Sequence, residues 1–486
     1  MKKYIYLFII LLSVVSCSDW LEEEPKSVAA ETFYNTESEA AAAVAAPLAN
    51  LKGYGGLDYF GTALCECFAD YAYGRGSWAS NSDYVGLDNT NQTRTANIWT
   101  KLYTAIRNCN VALERLPQAS QMSEDKINSY IGELRFIRGL SYFYLVRYFG
   151  DIPLHIEENM SEYNIGKSSK DVIYELIESD LRFAVNNAPQ TPRLAGTPSV
   201  NSAKSLLGEV YATLDRYEES KQLLEEVINS GQYSLVTVSS AADFNNIFGP
   251  EVVSSTEEIF YIKEYRENGQ GNEYAMFCAH PGAMIDGNVM HGSGGWYGVY
   301  TTTENQLITD WDVKDYRKDY NLLLFDFGMG DNTYLLTKYH DANAPGASGA
   351  ACDYPLIRYP DILLLYAEMA MRVTGSPTED AMEKINMVHR RAYGYDPMTS
   401  SEVDFELKDY STSEKFLELI LKERMYEQFN EGKRWFDLIR LGIVKEQIKR
   451  VKGLDIQEKH LLFPIPQTEF NYNEALDPSK DQNPGY

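Results

Sequence analysis

The sequence predicts a mainly α-helical protein. Its body is built of tetratricopeptide-like helix pairs, interrupted by a loop-rich, irregular insertion that carries short β segments. Three observations predict this. Apolar residues recur at helical spacing through 36–230 and again through 356–486. Within the first block, Leu207-Gly208-x-x-Tyr211 matches the L-G-x-x-Y element of a tetratricopeptide repeat, and Ser220 supplies the small residue that lets two helices approach closely. Between the blocks, 231–355 is different material: a β-like EEIFYIKEY, Gly-rich turns and many aromatics.

Taken in order, residues 1–16 carry Lys2 and Lys3, then the apolar run YIYLFIILLSVV, too short to cross a bilayer comfortably, and end on Ser16 before Cys17. This arrangement resembles the lipobox of a bacterial lipoprotein, with Cys17 as the lipidated residue. Residues 17–35 then form an acidic tether, SDWLEEEP at its start. From 36 to 230 helices dominate, each opening near a Ser or Thr and stopping at Gly or Pro, with a coil-rich aromatic loop at 54–97. The insertion spans 231–355, and helices return over 356–486. No later stretch is apolar enough to span a membrane.

Lys plus Arg number 44 and Asp plus Glu 70, for a net charge of -26. A phosphate backbone or an anionic membrane surface would be repelled, so nucleic acid is excluded as a partner and the membrane is reached through the lipid alone. With Cys17 set aside, Cys65, Cys67, Cys109, Cys278 and Cys352 are too sparse for a disulfide scaffold. Lone buried thiols are expected, a bridge from Cys109 to Cys65 or Cys67 being the alternative.

Catalytic motifs are missing. There is no G-x-S-x-G and no H-E-x-x-H, and the glycines of GYGG, GQG and GMG lack the strand-turn-helix setting of a phosphate cradle. Glu423, Glu427 and Glu431 recur at i, i+4 and could hold an acid/base pair, but Arg424, Arg434 and Arg440 lie close in sequence. An ion-pair network tying the last helices together is the better reading, so no catalytic residue is assigned. His280 and His291 stand eleven apart without a third ligand. Asp310, Asp312, Asp315 and Asp319 could offer oxygens to a structural calcium but lack the spacing of a calcium loop. No cofactor is expected otherwise.

Five segments in this order resemble the SusD/RagB family of outer-membrane nutrient-binding lipoproteins over essentially the whole length. They are DWLEEEP…FYNTESEAAAAV, GELRFIRGLSYFYLVRYFGDIPL, LIRYPDILLLYAEMAMRVTG, ILKERMYEQFNEGKRWFDLIRLG and the closing LLFPIPQTEF…NPGY. The resemblance implies a single helical unit that is not an enzyme. It also implies a lipoprotein on the outer face of the outer membrane, capturing an oligosaccharide, less often a peptide, as a hinged lid over a SusC-like TonB-dependent transporter. A peptide-binding lid, a tetratricopeptide scaffold for a protein partner and a glycosidase are the competing readings.

A sugar ring offers a face of C–H bonds and a rim of hydroxyls, which suit an aromatic ring and polar side chains respectively. The chain holds 36 Tyr, 20 Phe and 6 Trp. The stretch DYAYGRGSWASNSDY combines Tyr73, Trp78 and Tyr84 with Asp70, Arg75 and Asn81. GSGGWYGVY in the insertion adds Trp296 and Tyr297. These eight are the expected glycan contacts, Trp78 as the stacking face because small residues surround it. In the family an Asp stands near the position of Asp70. Tyr71 is left open between platform and loop anchor, and Tyr300 and Trp311 are expected to pack.

Overall fold

The computed structural model describes residues 33–486. Cys17, the leader and nearly all of the tether lie outside the described residues.

The long helices begin where short polar residues can take up orphan N–H groups. In α1 (Glu37–Ala49), Thr36 accepts from the Glu39 amide while the Glu39 carboxylate accepts from the Thr36 amide. A short α2 (Thr62–Phe68) follows. Asp88 caps α3 (Asn89–Arg115), Ser123 caps α4 (Glu124–Phe149), Ser169 caps α5 (Lys170–Asn187) and Ser199 caps α6 (Val200–Thr213). Helix α7 (Tyr217–Asn229) completes the repeat pair. At Gly208 an added Cβ would lie 3.0 Å from Leu224, and Ser220 Oγ donates to the Gly208 carbonyl at 2.7 Å, so the two small residues do set the close approach of α6 and α7.

Neighbouring helices pack in sequence from α3 to α7. The stack then skips the insertion, because α7 packs directly on α9 (Tyr359–Thr374), which also meets α10 (Glu379–Ala392) and α11 (Ser413–Glu427). Helices α12 (Arg434–Arg440) and α13 (Val444–Lys452) follow. The residues skipped over hold a short α8 (Glu273–Cys278) within the insertion.

The strands are short. Pairing is antiparallel throughout the larger sheet, whose order is β1 (Tyr73–Gly74), β3 (Val299–Thr302), β5 (Thr333–Leu336), β4 (Leu322–Leu324). A separate pair joins β2 (Glu258–Ile262) to β6 (Tyr354–Arg358) and so closes the base of the insertion. The larger sheet was not foreseen: its first strand comes from the N-terminal aromatic loop and the rest from the insertion, with Tyr73 opposite Tyr300.

The three glutamates at i, i+4 are buried in an ion-pair network. Arg358 reaches Glu427 at 2.8 Å and Glu431 at 2.7 Å, Arg317 reaches Glu423 at 2.9 Å, and Lys338 reaches Glu431 at 2.7 Å. Arg391 joins Glu257 at 2.9 Å and also binds Glu427. Burial alone would raise these carboxyls, but the cations outweigh it. Arg317 and His389 hold Glu423 at about 2, and Arg358 and Lys338 hold Glu431 at about 2, while Arg391, Arg358 and Arg317 hold Glu427 lower still.

Removing one charge here leaves its partners buried and uncompensated, so Glu427→Gln is expected to cost about 3–5 kcal/mol in urea unfolding. The pH sign follows from the depressed carboxyls. Glu423 and Glu431 sit at about 2 in the fold against an ordinary 4.5, so their stabilisation is complete above about pH 4.5 and is lost as pH falls toward 2. Stability measured across that window should fall more gently in Glu431→Gln than in the wild type; equal slopes would contradict the linkage.

Candidate functional site

The two aromatic stretches do come together; of the rings that face solvent Trp296 was expected and Tyr54 was not, while Trp78 is buried. Gly53-Tyr54-Gly55-Gly56 is a turn whose first and third residues have φ of 74° and 85°. It leaves Tyr54 60% exposed. A π-helical turn, Leu57–Gly61, follows and places Tyr59 and Phe60 beneath it. Tyr54 lies 4.6 Å from Phe60 and 6.3 Å from Tyr59, and Tyr59 lies 6.1 Å from Trp296, centroid to centroid. Trp296, 39% exposed, therefore continues the same band from the insertion. Beside Tyr54 opens a cleft of about 400 Å³, walled by Tyr54, Tyr59 and Phe60 and rimmed by Asn89, Thr90, Thr93 and Arg94. Rings on one wall and amide, hydroxyl and guanidinium groups on the rim suit a ligand with an apolar face and a hydroxylated edge.

The band runs on toward the shared sheet. Arg75 lies flat on Tyr297, its Cζ 3.9 Å from the ring centroid, and its amide donates to the Gly298 carbonyl at 2.8 Å. Gly298 is required here, because an added Cβ would fall 2.0 Å from the Phe277 ring. Tyr297 meets His280 and Phe327, and Phe327 meets Tyr300, which lies 5.6 Å from Tyr73. Burial and the Arg75 charge lower the His280 pKa. The Tyr73 hydroxyl accepts from Asn305 Nδ2 at 3.3 Å.

Four expected contacts need correction. Trp78 is only 6% exposed: Phe60 and Phe277 pack on it and the Arg94 guanidinium covers it at 3.6 Å. Small sequence neighbours left it free locally, and distant rings took the space. Asp70 is fully buried and accepts from Arg434 Nη2 at 2.7 Å and Gln447 at 2.8 Å. Burial alone would raise its pKa, but Arg434 lowers it below the ordinary carboxyl range. Asn81 is buried and donates to Asn91 Oδ1 at 3.0 Å and to the Trp78 carbonyl at 3.2 Å. Tyr84, 7% exposed, donates its hydroxyl to the Phe68 carbonyl. These residues are buried and hold the loop. Tyr71 is of the same kind, fully buried, stacked on Phe429 at 4.4 Å and donating to Glu66. Trp311 is packed as expected, stacked on Tyr426 at 4.3 Å.

Tyr54, Tyr59, Phe60 and Arg94 were missed. Tyr54 had a signal, an aromatic between glycines in KGYGG, which was weighed as a phosphate cradle and not as a bearer of a ring. Asp315, one of the four carboxylates considered for calcium, accepts from Trp311 Nε1 at 2.9 Å and from Arg317 Nη2 at 2.7 Å. The five described cysteines are free and buried, and burial pushes Cys65 and Cys278 to about 12, far from a reactive thiolate. A second cleft, of about 300 Å³, lies in the helical body by Tyr144, Arg147, Arg424 and Phe436, away from the aromatic band. Among the described residues no helix is long and apolar enough to cross a membrane.

Comparison with known proteins points one way. The profile described as the SusD family matches residues 285–486, and one described as starch-binding, associating with the outer membrane, matches 19–212. SusD-like protein P2 of Formosa agariphila is 27% identical, with all of both chains covered. A SusD homologue from Bacteroides thetaiotaomicron superposes with a TM-score of 0.78 at 23% identity, covering 94% of this chain and 98% of its own. Surface glycan-binding protein A from Bacteroides fluxus gives a TM-score of 0.76 at 21% identity, covering 93% and 100%.

The two tryptophans of the band should separate by readout. Trp78→Ala empties a packed site and is expected to lower stability by about 3–5 kcal/mol in thermal or urea unfolding. Trp296→Ala, at the surface, should stay within about 1 kcal/mol of the wild type.

Proposed function

We propose that this chain, matched over 285–486 by the SusD-family profile and over 19–212 by the profile described as starch-binding and associating with the outer membrane, captures an oligosaccharide at the cell surface and passes it to a SusC-like TonB-dependent transporter. The observation that carries the reading is the exposed pair Tyr54 and Trp296, joined through Tyr59 beside a cleft rimmed by Asn89, Thr90, Thr93 and Arg94. Stacking on the two open rings takes the C–H faces of successive sugars, and the polar rim pairs with their hydroxyls. Tyr73, Arg75 and Tyr297 extend the contact along the sheet that joins loop to insertion. The name of the Bacteroides fluxus neighbour, a surface glycan-binding protein, agrees with this.

No bond is made or broken in this role. The carboxylates that could have served an acid/base mechanism are neutralised inside the ion-pair network, remote from solvent. Release matters as much as capture, so the protein binds modestly, and movement of the lid against the barrel delivers the ligand. Cys17 carries the acyl chains that keep the protein at the membrane, with the acidic tether between anchor and body.

Titration of oligosaccharides against the wild type and the Tyr54→Ala and Trp296→Ala variants tests the site. Each variant should weaken a bound glycan about tenfold, which is about 1.4 kcal/mol, with the fold intact by circular dichroism. Full affinity in both variants would remove Tyr54 and Trp296 from the site. Cys17→Ala should move the protein from the membrane fraction to the soluble fraction; continued membrane attachment would overturn the lipid anchor.

A further inference from the structure

The arginines around the aromatic band differ from those of the body. In a chain of net charge -26, arginine is almost everywhere matched by acid. Arg138, Arg193, Arg216, Arg317, Arg358, Arg390, Arg391, Arg434 and Arg440 all hold carboxylates. Arg75, Arg94, Arg107 and Arg450 are the exceptions: among the described residues none has a carboxylate oxygen within 4.0 Å, and all but Arg107 border the band. Arg94 stacks on Trp78 at the cleft and donates to Ser77 and Asn91. Arg450 donates to Gln447 and Gln306, and Gln306 follows Asn305, the partner of the Tyr73 hydroxyl. Arg75 goes further, since no acceptor for its guanidinium occurs among the described residues.

Arg75 is nevertheless held in place. One face of its guanidinium lies on Tyr297, and its backbone amide is tied to Gly298. Next to it Gly76 and Ser77 are exposed, and His280 has its pKa lowered, so it adds no second positive charge there at neutral pH. A guanidinium presents a planar fork of N–H donors suited to bidentate pairing with a carboxylate or a sulfate ester, and stacking pre-organises that fork. Neutral hydroxyls would not require a full charge left without a counter-ion, whereas an anionic substituent on a sugar would complete the pair.

Resting on the glycan-binding reading above, we propose that the site selects an acidic glycan. Sugar rings stack on Tyr54 and Trp296, and a carboxylate or sulfate substituent pairs with the free fork of Arg75. Arg94 and Arg450 place further guanidinium charge at other points of the band. Because the Debye length is about 8 Å at physiological salt, this local charge governs at contact distance while the distant acidic surface is largely screened.

The test titrates the full chain with oligogalacturonate, oligoalginate and carrageenan-derived hexasaccharides in one arm, and with laminari-, malto- and xylohexaose in the other. At least one acidic ligand is expected to bind ten times more tightly than any neutral one. Arg75→Gln should cost the acidic ligand at least five times more affinity than it costs any neutral one, and Arg75→Lys should restore part of that difference. The carboxylated and sulfated probes separate the two sources of charge. Neutral ligands binding as tightly as acidic ones, or Arg75→Gln weakening both alike, would overturn the acidic preference and leave glycan binding standing. Failure of every oligosaccharide in both arms would overturn the glycan reading and this one together.

Discussion

The charged interior is the constraint on which the rest of the structure depends. Arg317, Lys338 and Glu257 come from the insertion, Arg358 from the strand that closes it, Arg391 from α10, and Glu423, Glu427 and Glu431 from α11 and the turn after it. Hydrophobic contact is indifferent to small slips, whereas charges taken out of water are tolerated only with each partner in place. The network therefore sets where the insertion sits on the helical stack. Since the insertion carries half of the aromatic band, it also sets where Trp296 stands relative to Tyr54.

Asp70 and Arg434 extend the same logic to the other half of the band. Their pair joins the aromatic loop to α12, while Asn305 donates to the Asp70 carbonyl and Thr301 to the Tyr71 carbonyl. Loop and insertion then share one sheet through Tyr73 and Tyr300. A surface for a flexible ligand gains from such fixing, because order imposed during folding does not have to be imposed again during binding.

Much of the fold was legible in the sequence, and the reasons are local. Caps such as Ser123 and Ser169, the stop at Gly150 and the small residues Gly208 and Ser220 act within a turn or two, so their effect survives in a linear reading. The i, i+4 glutamates were legible as a network because arginines lay near them in sequence, although the partners proved to be Arg317, Arg358 and Arg391, while Arg424, Arg434 and Arg440 pair with Asp437, Asp70 and Glu368. The site was legible only as a region. Trp78 and Trp296 both stand within two residues of a glycine, and nothing next to either in sequence says which one Phe60 and Phe277 will cover. Exposure of Trp78 is decided partly by Phe277, which belongs to the insertion. Asp70 misled for the same reason, since its true partner lies in the last helical segment.

That long reach also orders events in time. The Asp70–Arg434 pair closes a span of 364 residues. A chain leaving the ribosome can build its early helix pairs from near neighbours, but its aromatic loop waits for its sheet partner until Tyr300 is made and for its ionic latch until Arg434 is made. On the glycan-binding reading, completion of the aromatic surface is thus a late step of folding, and capture would wait for the finished chain.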